Sequence, residues 1–334
     1  MSNQTPTTPS DHELEHQREH EGALERAAPA KRRILLGVLA GGLTAGLFGL
    51  VGYLLLTATG FVNGAAYLGS VIFFCLPFAA GFVTAMVARH KGILFASLIL
   101  GVIFCFGPLL ATGKEGLICV LMAAPLIAVG LAAGAWGGFL IRKYVIDKAR
   151  HPKVLTMMIF LMAPLFLMGA NSAEAPSRSP RTHTVVTTMV VDAPPEKVWQ
   201  EIRSLDSLSS SKSFLMIMGL PVPQRCVIQG EGVGGKRICY FDQGYIEERI
   251  TEWQPPNSMK LEITASTLPL GPWLGFKEAS YEVKRENGKT LLTRSSTIIS
   301  RLAPAWYWTG FERLGVETEH RYLFEEFKKR IEAK

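Results

Sequence analysis

Glu248 is the residue whose placement most invites a chemical reading. It alternates in phase with Ile246 and Ile250, so a strand that turns those isoleucines toward an interior turns the carboxylate inward as well. A carboxylate buried without a partner is costly, which requires a cation or a ligand hydroxyl opposite it. Arg294, in phase with Leu292, Ser296 and Ile298 on a later strand, is one candidate cation. A few polar groups in apolar surroundings are the usual make-up of a small-molecule site, and Tyr240, Ile250 and Trp306 join Glu248 and Arg294 as expected lining residues. A structural ion pair, or an outward-facing glutamate, is the alternative.

Cys226 and Cys239 sit symmetrically about the glycine-rich stretch 230–235, so a hairpin closing there sets them directly opposite each other. Cross-strand neighbours are close enough to bridge, and an oxidising compartment would favour the bond, although a glycine bulge would shift the register. Cys75, Cys105 and Cys119 lie in apolar runs and read as small apolar residues. The chain carries no nucleophile motif, metal-ligand cluster, phosphate loop or dinucleotide fingerprint, so neither metal nor cofactor is expected. Gly230, Gly232 and Gly234 lie between two strands and open no helix. His12, His16 and His20 recur every four residues, but among acids in a polar tail, where a solvated run is the simpler reading.

Two segments are unusually apolar for loops. One holds Phe214 and Met216, the other Trp273, Leu274 and Phe276. Such segments suit the mouth of a cavity or a contact with a bilayer, and packing beneath a sheet is the alternative. Trp306, Tyr307 and Trp308 open the last helix, either as lining or as core.

The elements that would position these residues follow from periodicity. Residues 183–191 have the β-branched content of a strand, and Pro194, Pro195 and Glu196 then open a helix, proline being tolerated where first-turn N–H groups lack partners. Strands are expected over 224–229, 236–242, 245–253, 258–265, 277–285 and 290–300, divided by glycine, proline and asparagine turns. A long helix from Pro304 to about Glu332 closes the chain, with Leu323, Phe327 and Ile331 on one face. One strand, a helix, an antiparallel meander and a closing helix give an α+β order.

The same residues carry a resemblance. The run from Val190 to Trp199, then Gly230, Gly232, Gly234, Arg237, Cys239, Phe241, Gly244, Glu248, Ile250, Trp253 and Pro255, and finally Pro304 to Trp308, is similar to the START-like (SRPBCC, Bet v 1-type helix-grip) superfamily, in its bacterial polyketide cyclase and lipid transport branch. The resemblance covers residues 182–332. It implies a curved antiparallel sheet gripping the last helix around an apolar cavity. It implies no particular reaction, because fold does not determine activity.

Composition assigns the remainder. The chain of 334 residues has a net charge of +7 and a mean hydropathy of +0.22, yet residues 34–170 hold only 10 of its 63 charged residues. That excludes a single soluble globule. Uncharged runs predict a bundle (31–171) of five spans near 34–57, 64–88, 92–112, 116–141 and 154–171, after a disordered tail (1–30) and before a linker (172–181) and the domain 182–334. Basic residues gather before span one and after spans two and four, which sets the N-terminus in the cytoplasm. A fifth crossing carries the C-terminal domain outside; an interfacial fifth helix would leave it inside. Small residues every four positions (Gly37, Gly41, Ala45, Gly49 and Gly130, Gly134, Gly138) fit either self-association or packing within the bundle. The spans contain no Asp, Glu, Lys or Arg, which argues against coupled transport.

Six of the seven net charges lie in 34–170, so no basic groove for nucleic acid is expected. The sequence reads as an integral protein of a bacterial inner or plasma membrane, holding a START-like module that binds or transfers a hydrophobic small molecule or lipid. A cyclase or dehydratase using Glu248 or Tyr240 as acid or base is the alternative, and a structural or partner-binding protein without ligand is the third.

Overall fold

The computed structural model describes residues 34–47, 49–51, 54, 69–88, 91–111, 117–174, 179–203, 205, 207–208, 210–269 and 273–332. The predicted tail with His12, His16 and His20, the break between the first two spans, and residues 270–272 of the second apolar loop lie outside them.

Helices fill the N-terminal half: α1 (Ile34–Val51), α2 (Leu76–Val87, entered through a π-helical turn, Val71–Cys75), α3 (Lys91–Ala111), α4 (Leu117–Ile141, extended by a second π turn, Arg142–Ile146) and α5 (Pro152–Glu174). Among the described residues, three helical stretches are long and apolar enough to cross a membrane: Ile34–Val51, Leu117–Ile146 and Pro152–Ala170. Val71–Val87 and Lys91–Gly107 are shorter apolar stretches. The bundle turns large apolar side chains outward, among them Trp136, Met157 and Leu161.

The small-residue seams are consumed inside the chain. A Cβ on Gly134 would fall 1.9 Å from the carbonyl oxygen of Phe78, and one on Gly138 2.7 Å from that of Phe82, so α2 lies with its backbone against α4. On α1, Gly37, Gly41 and Gly49 face Ile93, Ser97 and Cys105 of α3, and Ala45 faces Gly101. Of the two readings of these seams, the described contacts show packing within the bundle: close approach is what glycine permits, and helices of the same chain occupy it.

The Arg142 guanidinium donates to the carbonyls of Ala85 (3.2 Å) and Met86, tying the ends of α2 and α4 together. From beside this basic end α5 runs the length of the bundle, and Leu167 packs with Val71, Ile72 and Phe73 at the other.

The C-terminal half is one seven-stranded antiparallel sheet, ordered β1-β7-β6-β5-β4-β3-β2, of β1 (Arg181–Val191), β2 (Pro223–Gln229), β3 (Lys236–Phe241), β4 (Gly244–Gln254), β5 (Ser258–Ser266), β6 (Leu274–Glu286) and β7 (Lys289–Ser300). The chain leaves β1 through α6 (Pro195–Arg203) and the short α7 (Phe214–Ile217), and ends in α8 (Ala305–Glu332). Alternating buried and exposed residues along β3 and β4 turn one face toward α8, whose Leu323, Phe327 and Ile331 join Val198, Ile202, Leu261 and Leu292 in the core. The result is an α+β helix-grip architecture.

Glycine is required at the β2–β3 turn. Gly230, Gly232 and Gly234 adopt φ of 83°, 93° and 89°, and a Cβ on Gly235 would meet the Gly230 carbonyl oxygen at 2.0 Å. This tight closure sets Cys226 opposite Cys239.

Candidate ligand cavity

A cavity of about 240 Å³ lies between the concave face of the sheet and α8 and continues into the helical bundle. Its walls in the sheet come from alternate residues: Arg237, Cys239 and Phe241 on β3, Ile246 and Glu248 on β4, Ala279 and Tyr281 on β6, Arg294 and Ser296 on β7. On α8, Glu312, Val316, Glu319 and Leu323 follow at i, i+4, i+7 and i+11, the spacing of one helix face. Trp273, Leu302 and Trp308 line the join, and beyond it the walls are apolar residues of α1 to α4, including Phe73, Met122 and Ile127.

The join itself is a packed contact. Trp308 is buried among Val71, Ile72, Phe73, Leu76 and Ala123, its ring centroid 4.8 Å from that of Phe73. The Tyr307 hydroxyl donates to the Met122 carbonyl. Trp273, Leu302 and Tyr307 pack against the same cluster.

Buried charge gathers at the sheet end. Arg237 and Glu248 are register partners on β3 and β4, with Nη1 3.3 Å from Oε2. Tyr281 and Arg294 are register partners on β6 and β7, and Arg294 Nη2 reaches Glu319 Oε2 at 3.0 Å. Both guanidiniums lie against the Tyr281 ring, 5.4 Å (Arg237) and 5.3 Å (Arg294) from its centroid. Burial holds the Glu319 carboxyl above the usual carboxylate range, outweighing the pull of Arg294. Beside it His320 is wholly enclosed, between Ser296 Oγ and Thr187 Oγ1 at 2.9 Å each. Burial, reinforced by Arg294, drives its pKa down to about 2, so the ring is neutral.

Near the join, Glu312 lines the cavity, held by Ser300 and by Arg181, whose Nη2 lies 3.3 Å from Oε1. Cys226 and Cys239, both buried in the cavity wall, are joined by a disulfide.

The residues singled out from the sequence fall into three groups. Glu248 and Arg294 line the cavity, but they pair with Arg237 and Glu319 and not with each other. Trp273, Leu274 and Phe276 also line it, Trp273 packed against the bundle and Leu274 and Phe276 against Ile298 and Val316. Three expected lining residues are corrected. Tyr240 follows the inward Cys239 and so faces the other way, where Arg225 lies 4.6 Å from its ring. Ile250 is fully buried but belongs to the hydrophobic core, two residues beyond Glu248 and past the cavity. Trp306 is 77 % exposed; two residues later on the helix, Trp308 is the aromatic in the cavity wall. In the first apolar loop Phe214 is exposed, while Met216 is buried against Val222 and Tyr322.

Arg237 enters the sequence reading only through the resemblance, and Tyr281 and Glu319 not at all, yet each has a signal as a lining residue. The two-residue turn Asp242–Gln243 sets Arg237 opposite Glu248, the short β6–β7 turn sets Tyr281 opposite Arg294, and Glu319 is in helical phase with Glu312 and Leu323. Among the described residues no group of His, Cys, Asp and Glu is arranged to hold a metal ion.

Residues 182–332 match the family described as polyketide cyclase / dehydrase and lipid transport. No curated protein matches the sequence. Similar solved structures include the Aha1 dimer from Colwellia psychrerythraea (14 % identity, TM-score 0.30, covering 45 % of this chain and 96 % of that one). Ara h 8.0201 is similar at 14 % identity and a TM-score of 0.32, covering 46 % of this chain and all of that one. Protein Ms6760 from Mycobacterium smegmatis is similar at 12 % identity and a TM-score of 0.31, covering 46 % and 97 %.

Proposed function

We propose that this protein is a membrane-anchored module whose helix-grip domain binds or transfers a hydrophobic small molecule or lipid. The observation that carries the reading is the cavity: apolar over most of its length, polar at one buried end, and shared between the domain and the bundle. That is the composition of a site that orients an amphipathic guest. The family matched by residues 182–332 includes lipid transport in its description, which supports the same class of ligand.

In this reading five helices anchor the chain with the N-terminus in the cytoplasm and the domain outside. Two observations support that orientation, and a third supports contact with the bilayer. Basic residues cluster at the Arg142 end of α2 and α4, the domain packs at the opposite end, and α5 extends from one to the other. The Cys226–Cys239 disulfide suits an oxidising compartment. Exposed Trp306, Phe214 and Ile217 supply apolar and aromatic contacts for a bilayer surface.

A second reading, chemistry on the bound molecule, draws on Glu319 and Tyr281, which both line the polar end. Binding is preferred because both nearby carboxylates, Glu248 and Glu319, are engaged by arginines.

Purification of the full chain in mild detergent, followed by mass spectrometry of released small molecules, tests the proposal. An apolar molecule enriched with wild type and reduced with Glu248→Gln is expected. Recovery of none from well-folded protein would overturn it.

A further inference from the structure

The polar end of the cavity has donors to spare. Arg237 Nε and Arg294 Nε and Nη1 are buried without a hydrogen-bond partner, on side chains that are themselves almost wholly enclosed. An unpaired buried N–H forfeits its hydration for nothing, and three of them on two guanidiniums mark an acceptor that the protein does not itself provide. The adjacent carboxylates are already engaged, Glu248 by Arg237 Nη1 and Glu319 by Arg294 Nη2. Charged N–H donors from two guanidiniums in one cavity wall favour an anionic oxygen acceptor such as a carboxylate or phosphate.

The far end has the opposite character. Leu98 and Val102 of α3 and Leu131 of α4 line the cavity there, and the same three residues line a groove of about 560 Å³ between α3 and α4. Phe95 and Trp136, both in that groove, are exposed on the apolar outer surface of the bundle. The cavity and the groove on the surface that would face lipid tails therefore share three wall residues.

Building on the ligand-binding reading above, we infer that the occupant is a long-chain carboxylic acid drawn from the bilayer. Its carboxylate sits at Arg237, Arg294 and Tyr281, and its chain passes the Trp273–Trp308 join into the bundle. A carboxylic acid suits this route better than a phosphate, because it sheds its charge by taking up one proton while passing apolar walls. Beside two guanidiniums it ionises again.

The test uses the full chain in phosphatidylcholine nanodiscs with three probes: oleate, oleyl alcohol and oleoyl lysophosphatidate. Saturable oleate binding is expected, with the alcohol about tenfold weaker and the lysophosphatidate weaker than oleate. Arg294→Gln should erase the preference for acid over alcohol. Independently of any variant, palmitate with a diazirine at its terminal carbon should label peptides containing Leu98 to Phe106 or Ile118 to Leu131. Equal binding of acid and alcohol would overturn the anionic head while leaving the ligand reading standing, and tighter lysophosphatidate would overturn the carboxylate. Labelling confined to residues 179–332 would overturn the bundle half, and no saturable binding of any probe would overturn both proposals.

Discussion

Arg237 faces Glu248 across the β3–β4 pairing, Nη1 3.3 Å from Oε2, with both side chains buried in the cavity wall. Such a pair repays its desolvation only while both partners are present. Arg237→Met should cost about 3–5 kcal/mol by leaving a buried carboxylate unpaired. Adding Glu248→Leu should return most of that loss, and chemical denaturation of the two variants beside wild type measures the coupling.

His320 makes stability depend on pH in a defined direction. Its folded pKa, about 2, lies below the ordinary 6.5, so the unfolded chain binds the proton that the folded chain refuses. This contribution is intact above pH 6.5 and is lost as pH falls. Between pH 7.5 and 5.5 it should amount to about 1.4 kcal/mol, before most carboxylates titrate. His320→Gln should flatten that interval in denaturation curves; an unchanged slope would remove His320 as the cause.

The Cys226–Cys239 disulfide closes a short loop, the two residues being 13 apart in sequence. Protein prepared without reductant should yield no alkylated thiol at either position. Cys226→Ala with Cys239→Ala should lower stability by about 3 kcal/mol. Full alkylation of both residues in the native chain would contradict the bond.

The join between domain and bundle rests on Trp308 against Phe73 and on Tyr307 bonded to Met122. Trp308→Ala in a Tyr307→Phe background should raise amide hydrogen exchange in the first turns of α8 and around Met122. Protection in the core residues Leu261 and Leu292 should be unchanged. Equal exchange at the join would mean that the contact contributes nothing.

Much of the fold was legible because its signals are local. Strand alternation, the proline-led start of α6 and the face carrying Leu323, Phe327 and Ile331 depend on neighbours a few residues apart. The hairpin symmetry that pairs Cys226 with Cys239 belongs to the same class. The polar end of the cavity was only half legible. Phase along β4 turns Glu248 inward, but the choice between Arg237 and Arg294 depends on the Asp242–Gln243 turn, and the partner of Arg294 comes from a helix 25 residues away. Trp306 and Trp308 differ by two helical positions, about 200° of rotation, and only the approach of the bundle decides which one is enclosed. That approach joins two parts of the chain by tertiary packing, which no local pattern encodes.

The central claim is that the cavity shared by sheet, α8 and bundle holds an apolar guest. Native mass spectrometry of the full chain released from detergent, wild type beside Gly315→Phe, tests it most directly, because Gly315 lies in the cavity wall on α8. One bound molecule per wild-type chain, absent from a folded Gly315→Phe variant, is the expected result. Wild-type protein with no bound mass, or the same bound mass in both, would contradict the account.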